Sequence, residues 1–340
     1  MSATEKILFK NQECVMLKAD RYTAVIANKI GSSVLRLRDD ELKVEVFRYK
    51  DDITMETINE AREIWGLPTL YLPNRFDGGV LKTSDAVYNL PVNEPEFNNH
   101  LHGFVQNRVH QIKELFADKE NDTAVLVTYY DYDENDEFFK YFPLKFKISY
   151  TFTLSKDGLK QEIALTNLSD KKLPVSICTH TCINAPFCDG GNEADMTLSV
   201  PIEKKCELDD RNLPTERLIE LSDWDKEYKN GVKMPTLQDI SNDMYTACMN
   251  KLDGKDFYGC YATDNKKGIR LCNEVSREFK FWNIWNHEGD KGYFCPEPMT
   301  AMINAPNLSL ERDISGYTEL SKGQAFTCWQ RFFTKKCEES

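Results

Sequence analysis

The chain has five histidines, and two of them, His100 and His102, stand one residue apart in Asn98-Asn99-His100-Leu101-His102-Gly103-Phe104. Residues i and i+2 of a β-strand point to the same face, so this spacing predicts two imidazoles projecting together. A third histidine, His180, lies in Cys178-Thr179-His180-Thr181, and a glutamate is clamped between prolines in Cys295-Pro296-Glu297-Pro298. An imidazole with an ordinary pKa of about 6.5 can carry a proton near neutrality, and a carboxylate of about 4.3 is ionised and can receive one. On separate strands facing one site, these are the parts needed to move protons on a neutral substrate. Pro298 pushes Glu297 towards an extended backbone, and Pro296 does the same to Cys295. Neither proline donates to a ladder, so the segment is expected at a sheet edge or rim.

The elements that must hold these groups read as strands. Residues 144–154 alternate: Leu144, Phe146, Ile148, Tyr150, Phe152 and Leu154 are apolar and the residues between them polar, which predicts a long strand with one wet face. Ser155-Lys156-Asp157-Gly158 supplies turn chemistry, and residues 159–168 return as the second arm of a hairpin. Further strand-like runs cover 43–49, 123–130, 173–180, 196–203, 268–273, 277–285 and 324–334. Helical periodicity is confined to residues 55–65 and 222–228. Many strands and few helices predict an all-β fold, a large antiparallel β-sandwich. No linker rich in Gly, Ser or Pro divides the 340 residues, so one domain is expected. Ile183-Asn184-Ala185-Pro186 recurs as Ile303-Asn304-Ala305-Pro306, too short an echo to claim a duplication.

Composition narrows the partner. The formal net charge is −12, with no cluster of lysine and arginine, which disfavours nucleic acid and anionic membrane. The expected partner is a small, roughly neutral molecule. The N-terminus has no apolar signal core, and no run approaches the roughly 18 apolar residues of a membrane span, so a cytoplasmic location is expected. Eleven cysteines then read as reduced thiols, mostly small buried hydrophobes. None form a Cys-x-x-Cys pair, which argues against structural zinc. Cys178 and Cys182 are nucleophile candidates by type, but free cysteine is usually inert when buried, which favours a packing role for both.

Taken in order along the chain, the motifs resemble the aldose 1-epimerase (galactose mutarotase) family. Pro73-Asn74-Arg75 followed by Gly78-Gly79 is similar to its Asn-Arg motif, and Asn93-Glu94-Pro95 running to Leu101-His102-Gly103-Phe104 resembles its first-histidine segment. Thr179-His180-Thr181 is similar to the second-histidine segment. Asp243-Met244-Tyr245 resembles a substrate-binding aspartate followed by an aromatic. Phe294-Cys295-Pro296-Glu297-Pro298 falls where the family carries its catalytic glutamate, with Asn304-Ala305-Pro306-Asn307 after it. The resemblance implies a β-supersandwich and interconversion of the α and β anomers of a free sugar, without a cofactor or metal. It makes Glu297 the base and His180 the acid, with His102, Arg75, Asp243 and Asn74 binding the sugar.

Opening a pyranose removes the proton of the anomeric hydroxyl and delivers one to the ring oxygen, so base and acid must face one small site. Without the motif order, Glu297 reads as a solvated glutamate and His180 as a hydrogen-bonded core histidine. His100 matches the family pattern less well and is assigned a structural role. Val105-Gln106-Asn107-Arg108 shows no phosphate clamp, which favours an unphosphorylated aldose over a hexose 6-phosphate. Trp282, Trp285, Tyr293 and Phe294 could stack on a sugar face, although most are expected in the core. Two rivals stay open. One is a sugar-binding protein without turnover. The other is a metal-dependent enzyme of the cupin kind, with His100, His102, His180 and Glu297 as ligands; the glutamate expected soon after such a His-x-His pair is missing from Gly103 to Arg108. A monomer or homodimer is expected.

Overall fold

The computed structural model describes residues 1–233, 239–240, 242–289 and 291–337. The alternation over 144–154 becomes the strand Phe146–Ser155, buried at every second residue along its length. The chain reverses through Lys156 and Asp157, with Ser155 facing Gly158, and returns as Gly158–Asn167. Gly158 takes a φ of 96°, and a Cβ there would stand 2.0 Å from the carbonyl oxygen of Phe332, so only glycine fits. This hairpin sits inside a nine-stranded sheet running from Gln111–Asp118 at one edge to Val232–Lys233 at the other.

An eight-stranded sheet carries the predicted chemistry. Its order is Pro214–Ile219, Ile202–Leu208, Asp243–Ala247, Phe281–Trp285, Tyr293–Met299, Ile177–Thr179 and Thr69–Tyr71, with Ile183–Asn184 also pairing with Tyr293–Met299. The main core joins the sheets: Ile148, Phe152 and Leu165 from the first meet Trp282, Ile284 and Phe294 from the second. Truncating one such phenylalanine to alanine costs about 3–5 kcal/mol. A third, five-stranded sheet spans Ala3–Phe9 to Val44–Glu45, where only residues 43–49 were predicted as strand. Its central strand, Tyr22–Ala27, is buried at almost every position, and a strand covered on both faces shows no period of two.

The two helical segments are present. Residues 55–65 form the helix Met55–Glu60, which ends at Ala61 (φ −147°) and gives way to a 3₁₀ turn, Arg62–Ile64. The second is Asp223–Asn230, with Ser222 and Asp225 capping each other. No helix among the described residues is long and apolar enough to cross a membrane.

The expectation of a sheet edge for Glu297 is not met, because Tyr293–Met299 is an interior strand. The reason lies in bonding parity. Lys280 N–H bonds the Met299 carbonyl at 3.0 Å, whereas Thr300 N–H bonds the Ile177 carbonyl at 2.9 Å. Odd residues of the strand therefore bond towards Phe281–Trp285 and even ones towards the other neighbour. Pro296 and Pro298 are on the even side, where the ladder is interrupted between the pairs Cys178–Met299 and Ile183–Phe294. The missing donors fall in that gap, so interior prolines cost no hydrogen bond. His180 occupies the stretch of chain opposite.

Candidate active site

The gap in the ladder is where the cavity's floor forms. The backbone N–H of His180 bonds the Pro68 carbonyl at 3.0 Å, and Cys182 N–H bonds that of Gly66 at 3.3 Å. Beneath, a buried polar chain ties the two large sheets. Thr179 Oγ1 donates to Gln330 Oε1 (3.1 Å), Gln330 Nε2 to Gln161 Oε1 (2.8 Å), and Gln161 Nε2 to Thr69 Oγ1 (3.0 Å). So pinned, His180 directs Nε2 to within 3.3 Å of Glu297 Oε1, both side chains being almost wholly buried. The two residues are 117 positions apart in sequence, and the fold brings them into contact.

Burial alone would strip the charge from each. For His180 that penalty is outweighed by the Glu297 carboxylate, with help from Cys182 and Glu63, and its pKa is pushed up to about 9. For Glu297 burial dominates, and His180, a side-chain hydrogen bond from Asn283 and one from Cys178 only moderate it, leaving it raised to about 7. Asn283 stands directly opposite Glu297 in the register. An acid able to hold its proton and a base able to accept one thus coexist near neutrality.

Around the pair opens a cavity of about 360 Å³, lined also by Glu63, Asn74, Arg75, Asn93, His102, Asn242, Asn283 and Trp285. Five of the six residues singled out from sequence are therefore gathered: Glu297, His180, His102, Arg75 and Asn74. His100 and His102 do not share a face as predicted. The strand Asn99–Leu101 ends before His102, which takes a left-handed φ of 65°. Gly103 then passes so close to the strand Thr69–Tyr71 that a Cβ would meet the Tyr71 carbonyl at 2.0 Å. His100 is buried beside Phe138, with Nδ1 bonded to the Pro91 carbonyl at 2.7 Å, and does not line the cavity. The four-ligand set of a cupin-like site is accordingly not assembled.

His102 Nδ1 accepts the backbone N–H of Asn74 at 3.3 Å, which leaves Nε2 as the donor. Burial, His180 and Arg75 hold its pKa well below the usual imidazole value, so it is neutral. Arg75 is gripped by Glu94: Nε reaches Oε2 at 2.9 Å and Nη2 reaches Oε1 at 2.8 Å, while Nη1 donates to Asn74 Oδ1 at 3.2 Å. The Asn93-Glu94-Pro95 motif thus serves to aim a guanidinium.

Asp243 is the correction. It does not line the cavity; it pairs with Lys205 at 2.8 Å. In the register Asp243 faces Ile284, a residue of the main core, whereas Asn283 faces Glu297. One step along a strand changes the face, so Asp243 points away. Asp239 is exposed. The cavity instead receives Asn242, at a left-handed φ of 59°, whose Oδ1 accepts from Asn74 Nδ2 at 3.3 Å. Its Nδ2 has no partner among the described residues. Of the aromatics, Trp282, Tyr293 and Phe294 are core, and Trp285 alone of the four lines the cavity.

Sequence reasoning also missed Glu63 and Cys295, and it reads Cys178 and Cys182 as inert buried thiols, away from the acid–base pair. Cys178 Sγ lies 3.7 Å from Glu297 Oε2, and Cys182 Sγ lies 3.4 Å from His180 Nδ1. Period-two spacing carried that signal, because 178, 180 and 182, like 295 and 297, fall on one side of an extended chain. His180, Cys182 and Cys295 place an imidazole nitrogen and two sulfurs within 4.8 Å of one another, although no two of the cysteines form a Cys-x-x-Cys pair.

An antiparallel sandwich with these sheets and this cleft has the galactose mutarotase-like fold. A protein of that description from Clostridium acetobutylicum shares 32% identity at a TM-score of 0.93, over 99% of this chain and 98% of its own. The fold is shared at lower identity by an aldose epimerase homologue from C. elegans (18%, TM-score 0.71, 99% and 100% covered). A galactose 1-epimerase from Lactobacillus acidophilus shares it too (15%, TM-score 0.74, 99% of each chain). The family model for aldose 1-epimerase matches residues 13–332, and the chain belongs to that family. Membership of that family supports a role as a sugar epimerase or mutarotase.

Proposed function

We propose that the protein interconverts the α and β anomers of an unphosphorylated aldose by acid–base ring opening. The observation that carries this reading is the 3.3 Å approach of His180 Nε2 to Glu297 Oε1 at the floor of a cavity of monosaccharide size. Glu297 takes the proton of the anomeric hydroxyl as the bond from C1 to the ring oxygen breaks, and His180 protonates that oxygen. After rotation about the C1–C2 bond, neutral His180 reclaims the proton as the ring closes on the other face, and Glu297 returns its own to the anomeric oxygen. His102 Nε2–H, held neutral, donates to the ring oxygen or a neighbouring hydroxyl. Arg75 and the amides of Asn74 and Asn242 suit the remaining hydroxyls, and Trp285 offers an apolar face.

Charge supports an unphosphorylated substrate. Among the described residues Arg75 is the one lysine or arginine lining the cavity, and Glu94 already holds it, while Glu63 and Glu297 also face the space. A phosphate dianion would meet more carboxylates than free cations. The test is polarimetry on freshly dissolved α-D-glucose and α-D-galactose. Accelerated approach to the equilibrium rotation is expected with at least one, and no acceleration across a panel of aldoses would leave a sugar-binding protein without turnover.

A further inference from the structure

Three sulfur atoms stand around the acid–base pair, and ring opening uses none of them. The nearest to His180 is Cys182, whose Sγ faces Nδ1, the nitrogen turned away from Glu297. Cys295 Sγ lies 3.0 Å from Cys182 Sγ, and both side chains are fully buried. Register explains the contact. Ile183 faces Phe294 and Asn184 faces Tyr293, so the next pair along is Cys182 opposite Cys295. Their sulfurs, 3.0 Å apart, need approach by only about 1 Å to reach the length of an S–S bond, about 2.05 Å.

The surroundings prepare the pair. Burial pushes the Cys182 thiol up, but donation from Cys295, the charge of His180 and that of Arg48 outweigh it and bring it down to about 6. Arg48 is fixed in place, its guanidinium 3.8 Å from the ring centroids of both Trp65 and Tyr293. Burial and the neighbouring Cys182 keep Cys295 protonated, well above the usual thiol range. A thiolate beside a thiol is the form in which a dithiol is oxidised. Ile64 and Trp285, which line the cavity, also pack against the cluster formed by Cys182, Tyr293 and Cys295.

We propose that Cys182 and Cys295 form an oxidisable pair whose disulfide, made at the expense of a small peroxide, weakens the proton transfer at His180. The Cys182 thiolate attacks one oxygen of hydrogen peroxide; the O–O bond breaks, and hydroxide leaves and takes up a proton as water. Cys295 sulfur then attacks the resulting sulfenic acid. The S–S bond forms, the S–O bond breaks, and the Cys295 proton departs with the hydroxide as a second water. Two thiols and one peroxide give one disulfide and two waters. The disulfide is neutral and has no S–H, so His180 loses an anionic neighbour while its burial is unchanged. With Glu297 still beside it, His180 then gives up its proton at a lower pH than before, so a smaller share of it is protonated and able to serve as the acid. This consequence rests on the acid–base reading; the disulfide itself does not.

The experiment treats the whole reduced protein with hydrogen peroxide, alkylates the remaining thiols under denaturing conditions, and maps peptides by mass. A link between the Cys182 and Cys295 peptides, with loss of two hydrogens and reversal by dithiothreitol, is expected. The mutarotation rate should fall in step, by up to roughly 10²-fold, since complete loss of one positioned acid costs at least that much, and recover on reduction. Cys295→Ser should give no such link. Cys182 and Cys295 still alkylatable after the more exposed Cys248 and Cys337 have oxidised would overturn the proposal. So would a complete link with an unchanged rate. A reduced protein without any mutarotation would defeat the acid–base reading, and the mass measurement would still decide the disulfide.

Discussion

The floor of the cavity and its rim are built from different materials. On the floor, Glu297 and Asn283 sit mid-strand and His180 one residue beyond the strand Ile177–Thr179, all three buried. Ladders on either side fix their backbones, so the distance between acid and base is set by the sheet. At the rim, Asn74, His102 and Asn242 take left-handed φ values of 55°, 65° and 59°. Asparagine accepts that conformation at little cost and offers both a donor and an acceptor, so one residue type makes the turn and meets a hydroxyl. Proton transfer needs a dry, rigid separation, whereas recognition needs varied hydrogen-bonding groups at the mouth. If this division holds, floor substitutions change turnover and rim substitutions change affinity.

The largest effect is expected at Glu297. Glu297→Gln keeps the shape and removes the base, so turnover should drop by about 10²–10⁴-fold or more while sugar affinity, read by titration calorimetry, changes little. An unchanged rate by polarimetry would take Glu297 out of the mechanism. His180→Asn should lose a similar factor, and a loss below about tenfold would return His180 to the role of a core histidine.

The pH dependence follows from the same pair. Glu297 works as a base only when deprotonated, so activity should rise as pH climbs through about 7. His180 works as an acid only when protonated, so activity should fall as pH climbs through about 9. Both limbs would be read from rates corrected for the uncatalysed reaction. A profile with neither limb breaks the assignment, and loss of the alkaline limb in His180→Asn would sharpen it.

Much of the floor was legible in the sequence because its signals are long or chemically distinctive. The alternation around Phe146–Ser155 gave the sandwich, and the order of the Asn74, His102, His180 and Glu297 segments gave the site. Parity and tertiary context were harder to read. The spacing of His100 and His102 suggests one shared face, but the strand ends at Leu101 and His102 itself is left-handed. The prolines flanking Glu297 suggested an edge, although an interior strand admits them where its partner ladder is interrupted. The two Ile-Asn-Ala-Pro segments make the point most directly. The first forms the strand Ile183–Asn184, and the second turns at Asn304 (φ 58°) into the 3₁₀ turn Ala305–Asn307. Identical residues fold differently because their neighbours differ.

The smallest expected effects separate two adjacent residues. Asn242 lines the cavity with an unpartnered Nδ2, so Asn242→Ala should raise KM by up to about tenfold, the worth of one neutral hydrogen bond of about 0.5–1.5 kcal/mol, at unchanged kcat. Asp243 lies on the other face against Lys205, which also approaches Asp225 at 3.5 Å. Asp243→Asn removes a partly exposed ion pair and should lower stability by about 1 kcal/mol or less, seen as a small shift of the urea midpoint. Its KM should not move. The contrast is demanding because a substrate-binding aspartate is what the motif suggests and a neighbouring asparagine is what the register delivers. If Asp243→Asn weakens sugar binding more than Asn242→Ala does, parity on the strand Asp243–Ala247 does not decide which residue the sugar meets, and the rim must rearrange when it binds.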